Sequence, residues 1–219
     1  MNGRQNGKTA MFYLYTRYER FWHWLQAALI VCLLVTGFEV HGSFILLGFK
    51  RAVTVHAFVG VAWLVAFVFF VFWVATTGEW KQYVPTTKKM FEVMRFYAYG
   101  IFMGWPHPCP KTPQAKHNPL QRLTYLALAA ILLPFMMATG LLYYLYNDWP
   151  ALGLGGLGLS SVALAHLVGA FAILAFLVVH VYMTTTGHTP FAHVRAMITG
   201  WEEEKADAPA PADWEKRTV

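Results

Sequence analysis

The chain has 219 residues, of which 57% are hydrophobic, 17% aromatic and only 13% charged. This composition supplies too little polar surface for an ordinary soluble globule and indicates a membrane protein. The net charge of +6 does not indicate nucleic-acid binding, because the basic residues are sorted by loop, as in a membrane protein of fixed orientation.

Four apolar stretches are each long enough to cross about 30 Å of hydrocarbon as a helix. In chain order they run over residues 21–41, 52–76, 120–146 and 161–185. We therefore predict an all-α membrane protein that forms a bundle of four transmembrane helices. The first stretch is longer than the apolar part of a signal peptide, and no clear small-residue cleavage pattern follows it, so we expect it to remain as a span.

The basic residues predict the orientation of the spans. Of the 17 Lys and Arg residues, all but Lys50 and Arg51 lie before the first span, in the second loop, at the adjoining start of the third span (Arg122) or after the fourth span. The positive-inside rule then places both termini and the second loop in the cytoplasm. We expect a multi-pass protein of the bacterial cytoplasmic (inner) membrane.

The segments between and after the spans carry weaker signals. Residues 86–99 of the second loop combine lysines with apolar residues, which predicts an interfacial amphipathic helix. Residues 105–110 contain three prolines and cannot form a regular helix. After the fourth span we expect a turn and then an interfacial helix that ends near Gly200. We find no internal repeat, and we predict one domain over residues 1–205 and a disordered tail over 206–219.

Four of the nine histidines fall within the apolar part of a predicted span: His23, His56, His166 and His180. His23 lies near the cytoplasmic end of the first span, and His56 lies near the outer end of the second. The fourth span enters from outside, so His166 lies near the outer face and His180 near the inner one. The 14 residues between them cover about 21 Å and nearly four helical turns, so both lie on one face of that helix. The remaining histidines lie in loops or at interfaces: His41, His107, His117, His188 and His193.

These depths define two histidine pairs, His56 with His166 at the outer level and His23 with His180 at the inner level. An iron porphyrin with two imidazole ligands needs two histidines at equal depth on facing helices, and room for a flat ring. The pairs therefore predict two haem sites, one above the other.

Glycines near these levels, at Gly37, Gly60 and Gly169, would supply room for the rings. Buried histidines can instead hydrogen-bond neighbouring helices without any metal, but four histidines at matched depths favour haem. Zinc is disfavoured because two imidazoles leave a tetrahedral site two ligands short. Neither Cys32 nor Cys109 belongs to a Cys-x-x-Cys-His motif, so we expect both haems to be non-covalent haem b.

These residues resemble the membrane cytochrome b (gamma) subunits of formate dehydrogenase, thiosulfate reductase and nickel–iron hydrogenases. The resemblance rests on four segments of this sequence: Arg20 to Trp24, His56 to Gly60, Asn118 to Gln121 and His180 to Met183. Residues 187–201 look closer to the thiosulfate-reductase-like branch. The resemblance implies that the four histidines of the two pairs are the axial ligands of two b haems.

The resemblance also implies a menaquinone or ubiquinone site beside the inner haem, formed by His180, Asn118 and Gln121. A quinone carbonyl needs such hydrogen-bonding partners. Asn118 directly precedes Pro119, however, so helix capping alone can also explain it. Formate-type members tend to have a glycine between the Asn and the Gln, where this chain has Pro119 and Leu120.

The sequence thus predicts an electron-transfer subunit of an oxidoreductase complex. The outer haem would exchange electrons with an iron–sulfur or multihaem partner subunit outside the membrane, and the inner haem with quinone. The chain shows no nucleophile–base pair, phosphate loop or iron–sulfur motif, so the chemistry on the final substrate would belong to the partner. Two alternatives stay open: a stand-alone dihaem quinone oxidoreductase that reacts with a small oxidant or reductant, and a haem-free membrane anchor or transporter whose histidines relay protons.

Overall fold

All four predicted spans are helical in the computed structural model of the chain, which describes residues 9–112, 115–187 and 189–205. The helices are α1 (Arg17–Val40), α2 (Phe49–Thr77), α3 (Met90–Arg95), α4 (Pro119–Ala127), α5 (Leu133–Tyr144), α6 (Leu159–Thr184) and α7 (Ala192–Thr199). Four helical stretches are long and apolar enough to cross a membrane: α1, α2, the stretch from α4 through α5, and α6. The predicted helical membrane fold with four spans is confirmed.

The third span changes its helical pitch midway. A π-helical turn, Leu128–Leu132, joins α4 to α5, and Pro134 lies in the first turn of α5. Proline has no N–H to donate to the preceding turn, and a π-turn is one way for a helix to absorb that loss. The span therefore runs without a break from Pro119 to Tyr144.

The second loop differs from its prediction in where its helix begins. A 3-10 turn, Glu79–Tyr83, comes first, and α3 begins at Met90 instead of residue 86. Lys89 explains the later start, because its φ of 57° is left-handed and cannot continue a right-handed helix. A π-turn, Phe96–Gly100, follows α3, and residues 105–110 contain no helix, as predicted.

The region after the fourth span contains both a confirmed helix and an unpredicted strand. Helix α7 ends at Thr199, and the capping residue Gly200 follows with a left-handed φ of 89°, close to the predicted end. Strand β1 (Thr9–Tyr13) then pairs antiparallel with β2 (Trp201–Lys205). A Cβ on Gly200 would lie 2.6 Å from Cε2 of Tyr13, so this close approach needs glycine. The predicted disordered tail, 206–219, lies outside the described residues.

Contacts divide the chain into two compact units, and the predicted single domain over residues 1–205 stays a prediction. The first unit contains the described parts of residues 1–21, 80–126 and 180–219, and the second contains residues 22–79 and 127–179. The buried core of the first unit is Val93, Cys109 and Ala115. That of the second is Trp63, Leu133, Met136 and Ile173. A 3-10 turn, Tyr146–Asp148, follows α5.

Candidate functional site

The outer histidine pair comes together inside the second unit. His56 lies about two turns into α2, and His166 lies near the start of α6. The centres of their rings are 6.3 Å apart, and the ring planes cross at 81°. Both side chains are half-buried. Two histidines that are distant in sequence therefore face each other at one level, as the helix depths predicted.

The separation of these two rings fits a single metal ion between them. A bond from a metal to an imidazole nitrogen is about 2 Å long. Two such bonds in line, with about 1 Å from each nitrogen to its ring centre, separate the ring centres by about 6 Å. The observed 6.3 Å agrees, so the spacing of His56 and His166 would allow both to hold one metal ion.

Thr36 of α1 lies within hydrogen-bonding distance of the His56 ring. Its hydroxyl donates to the backbone oxygen of Cys32, 2.7 Å away, and its Oγ1 lies 2.9 Å from Nδ1 of His56. Since the hydroxyl proton is directed at the carbonyl, the hydroxyl oxygen accepts from the imidazole N–H. His56 therefore carries its proton on Nδ1, which leaves the lone pair of Nε2 for a ligand.

Thr139 of α5 repeats this arrangement at His166. Its hydroxyl donates to the backbone oxygen of Phe135 at 2.8 Å, and its Oγ1 lies 2.9 Å from Nδ1 of His166. The same reasoning places the proton of His166 on Nδ1. Metal-bound histidines almost always donate their second ring N–H to such a partner. Both imidazoles therefore have the hydrogen bond that is typical of a histidine able to bind a metal through Nε2.

A glycine follows each of these threonines and makes room for the histidine. A Cβ added to Gly37 would lie 3.0 Å from Cε1 of His56, and one added to Gly140 would lie 3.2 Å from Cε1 of His166. Any side chain at either position would press on the imidazole ring. The sequence predicted that Gly37 makes room for a haem ring, whereas its close contact in the structure is with the imidazole of His56.

The other two glycines singled out in the sequence have different surroundings. A Cβ on Gly60 would meet only Leu33, at 3.9 Å, which is an ordinary contact. A Cβ on Gly169 would clash with Sδ of Met136, so Gly169 allows α6 to approach α5 closely. Neither His56 nor His166 is among the residues nearest to these two added Cβ atoms.

The outer site consists of two matching halves. The hairpin of α1 and α2 supplies Thr36 and Gly37 from its first helix and a histidine from its second. The hairpin of α5 and α6 supplies Thr139 and Gly140 from its first helix and a histidine from its second. Sequence reasoning missed both threonines and Gly140. The signal that could have found them is a Thr-Gly dipeptide at the depth of each outer histidine.

The inner histidines lie in separate units of the chain. His23 belongs to α1 within residues 22–79, and its ring contacts Trp24 edge-on at 5.4 Å. His180 belongs to α6 at the first residue of the segment assigned to the other unit. Their pairing stays a prediction from helix depth.

Asn118 and Gln121 form a capping box at the start of α4. The backbone N–H of Gln121 donates to Oδ1 of Asn118 at 2.9 Å, and the backbone N–H of Asn118 donates to Oε1 of Gln121 at 3.1 Å. The side-chain nitrogen of Asn118 also donates to the hydroxyl of Tyr97, 2.9 Å away. Capping, one of the two explanations open for Asn118, is thus present, and quinone contact stays a prediction.

Buried polar and aromatic side chains lie near the start of α4 in the first unit. Lys116 and Glu19 form an ion pair of 2.6 Å. The ring of His117 contacts Tyr125 at 4.9 Å and Tyr83 at 5.6 Å. Burial, with a smaller contribution from nearby cations, lowers the pKa of His117 to about 3. The side chain of His117, assigned only to a loop from the sequence, is therefore neutral at physiological pH.

Comparison with known proteins gives one family and two relatives. The family described as "Prokaryotic cytochrome b561" matches residues 14–200. The Escherichia coli K12 protein named "Putative cytochrome YdhU" is 36% identical over 195 residues, which cover 86% of this chain and 74% of that protein. The Rhodobacter capsulatus protein named "Probable Ni/Fe-hydrogenase B-type cytochrome subunit" is 28% identical over 199 residues, covering 78% of this chain and 72% of that protein. No solved structure matches the chain.

The family match covers all four spans and both hairpins of the outer site. It agrees with the resemblance to membrane cytochrome b subunits seen in the sequence. The chain belongs to the prokaryotic cytochrome b561 family and is a multi-pass bacterial membrane protein that transfers electrons through haem b.

Proposed function

We propose that the chain is a dihaem electron-transfer subunit that connects a redox partner on the outer side of the membrane with quinone at the cytoplasmic end. The observation that carries this proposal is the 6.3 Å separation of the His56 and His166 rings. Both rings present a bare Nε2, because a threonine accepts the Nδ1–H of each. Haem b bound there would supply a reversible one-electron carrier within the bilayer.

The residues of the outer site perform three tasks in this proposal. His56 and His166 would hold the haem iron. Thr36 and Thr139 hold the imidazoles in the ligand tautomer. The apolar helices around them would limit the access of water to a haem bound there, and this low-dielectric surrounding would contribute to its redox potential.

We propose that His23 and His180 hold the second haem near the cytoplasmic end. This assignment rests on the 14-residue interval between His166 and His180, about four turns of one helix, and on the position of His23 in α1. It gives the chain two carriers about 21 Å apart along α6, which suits electron transfer across the bilayer.

The quinone proposal concerns the start of α4. Asn118 accepts a backbone N–H with Oδ1 and donates one amide N–H to Tyr97, so its second amide N–H is the donor that we assign to quinone. Gln121 uses its Oε1 in the capping box, which leaves its amide nitrogen as the donor for a quinone carbonyl. His180 completes the proposed set, since it belongs to the same unit as Asn118 and Gln121.

The partner proposal rests on the relative whose name describes a hydrogenase cytochrome subunit, because such a subunit accompanies another redox protein. We propose an iron–sulfur or multihaem partner at the outer ends of the spans, in the cytoplasmic membrane. Reporter fusions at Val219 and near Gly155 should report opposite sides of the membrane. A partner that co-purifies with the intact chain would support the subunit assignment, and a chain that reacts alone with a small oxidant would favour the stand-alone alternative.

A dithionite-reduced minus oxidised spectrum with haem quantification tests the central assignment. The purified wild-type protein should contain two acid-extractable b haems. His56→Ala and His180→Ala should each lose one haem, and each should retain the other. Full haem content in His56→Ala would refute the outer site, and full content in His180→Ala would refute the inner one.

Quinone contact is tested with variants that preserve the capping box. Asn118→Asp keeps the Oδ1 acceptor but loses the donor to Tyr97, and Gln121→Glu keeps the Oε1 acceptor but loses its amide nitrogen. Both should keep two haems and slow the reoxidation of reduced haem by a menaquinone analogue. Unchanged kinetics in both variants would mean that these residues only cap α4.

A further inference from the structure

We infer that Thr36 and Thr139 are matched positioning residues that fix the tautomer and the near-perpendicular orientation of the outer ligand pair. This inference rests on the proposed ligation by His56 and His166. It extends that proposal to two residues on the opposite helix of each hairpin, and it states what those residues do to the site.

In each pair the threonine hydroxyl can only accept a hydrogen bond from the imidazole, and the histidine must donate it. Thr36 and Thr139 are 2% and 7% exposed, so water does not compete for their hydroxyl groups. Each hydroxyl donates to a carbonyl one turn earlier on its own helix, at 2.7 and 2.8 Å. A threonine held in this way has only lone pairs left for the imidazole. The histidine must donate, and its proton is confined to Nδ1.

The positions of the threonines also determine the ring planes. A hydrogen bond from Nδ1–H lies close to the imidazole plane, so the direction from the ring to the threonine oxygen selects the rotation of the ring. Thr36 belongs to α1 and Thr139 to α5, and the two rings that they hold cross at 81°. Gly37 and Gly140 permit this geometry, since each lies beside Cε1 of a ring.

These constraints predict two measurable properties of the outer haem. Imidazole planes that cross near a right angle leave the two iron d orbitals of π symmetry nearly equal in energy, which gives a highly anisotropic low-spin EPR signal. A hydrogen bond accepted from Nδ1–H makes the imidazole a stronger electron donor, which favours the oxidised iron and lowers the reduction potential. Both properties should depend on the threonine hydroxyl groups.

Replacing the hydroxyl by a methyl group tests the inference at nearly constant volume. Thr36→Val and Thr139→Val should each bind the outer haem roughly ten- to a hundredfold more weakly, measured by haem titration of the apoprotein. The midpoint potential of the outer haem should rise, and its EPR signal should become less anisotropic or heterogeneous. The inner haem should be unchanged.

Two controls separate this role from general packing. Thr36→Ser restores a hydroxyl and should restore haem affinity, potential and EPR signal. Thr76→Val removes a threonine of α2 that makes the same type of bond to its own helix, at 2.8 Å from the oxygen of Phe72, and should change none of these. In the apoprotein, nitrogen NMR of the histidine rings should show the Nδ1–H tautomer at His56 and His166.

The outcomes distinguish failure of this inference from failure of the proposed function. If His56→Ala keeps both haems, the ligand assignment itself is wrong. If His56→Ala loses one haem but both valine variants keep wild-type affinity, potential and EPR signal, the threonines do not position the ligands. Predominance of the Nε2–H tautomer in the wild-type apoprotein would also overturn the inference.

Discussion

The indole N–H of Trp63 donates to Oε1 of Gln26 across a distance of 2.7 Å in the apolar core of the second unit. Trp63 is 4% exposed, and the amide nitrogen of Gln26 is buried without a partner among the described residues. The amide of Gln26 therefore depends on this one bond.

Removing the indole donor should cost more than removing the whole polar pair. Trp63→Phe leaves Gln26 buried without its hydrogen bond, which we expect to lower the free energy of unfolding by about 2 kcal/mol. The double variant with Gln26→Met replaces both partners by apolar groups and should recover most of that loss. Chemical unfolding in detergent measures both changes. Equal stability of Trp63→Phe and the wild type would show that the bond contributes nothing.

Close approach of glycine to the histidines predicts a selective loss of the outer haem. Gly37→Ala and Gly140→Ala would place a methyl group 3.0 and 3.2 Å from Cε1 of the facing rings, so each ring must move from its position. We expect lower haem content in both, measured by the pyridine haemochrome absorbance. Gly60→Ala is the matched control, because its Cβ would lie 3.9 Å from the nearest side chain. A loss in Gly60→Ala equal to that in Gly37→Ala would contradict the explanation.

The sequence predicted the spans and the level of the outer pair because both depend on local properties. Apolar length determines a span, and helical pitch places His166 and His180 on one face of α6. The roles of Thr36 and Thr139 could not be predicted in this way. A threonine inside a helix commonly bonds its own backbone, and only the packing of hairpins shows that its second lone pair faces a histidine.

The ribbon of β1 and β2 escaped prediction for a different reason. Its strands lie at opposite ends of the chain, and β2 contains three consecutive glutamates, Glu202 to Glu204, which are unusual in strands. Glu202 nevertheless is 6% exposed, and its Oε1 lies 3.1 Å from Nδ1 of His193. We attribute the strand to tertiary contacts such as this one, which offset the low strand propensity of glutamate. The sequence pattern does not indicate such contacts.

The ion pair of Glu19 and Lys116 should be important for the stability of the first unit. Their side chains are 16% and 6% exposed and 2.6 Å apart. Lys116→Met would leave the Glu19 carboxylate largely buried without its cation, at a cost of about 3 kcal/mol in the free energy of unfolding. Lys88→Met, at an exposed position, should cost almost nothing. Unfolding curves in detergent compare the two, and equal effects would exclude a specific contribution from the pair.

The buried His117 predicts a loss of stability at acidic pH. Burial first, and then the nearby cations Lys111, Arg122 and Lys116, lower its pKa from 6.5 to about 3 in the folded chain. Between these values the unfolded chain binds a proton at this residue that the folded chain does not bind. The free energy of unfolding should therefore fall as the pH decreases from about 6.5 toward 3, and this residue should contribute no pH dependence above that range.

His117→Gln isolates this contribution, because glutamine is polar and does not titrate. Stability measured from pH 7.5 to pH 4.5 should decrease less steeply in the variant than in the wild type, although the variant starts from a lower value. His107, whose pKa burial lowers to about 4, contributes a slope of the same sign in both proteins, so the difference between the two curves belongs to His117. Parallel curves over the whole range would show that His117 titrates alike in the folded and unfolded chains.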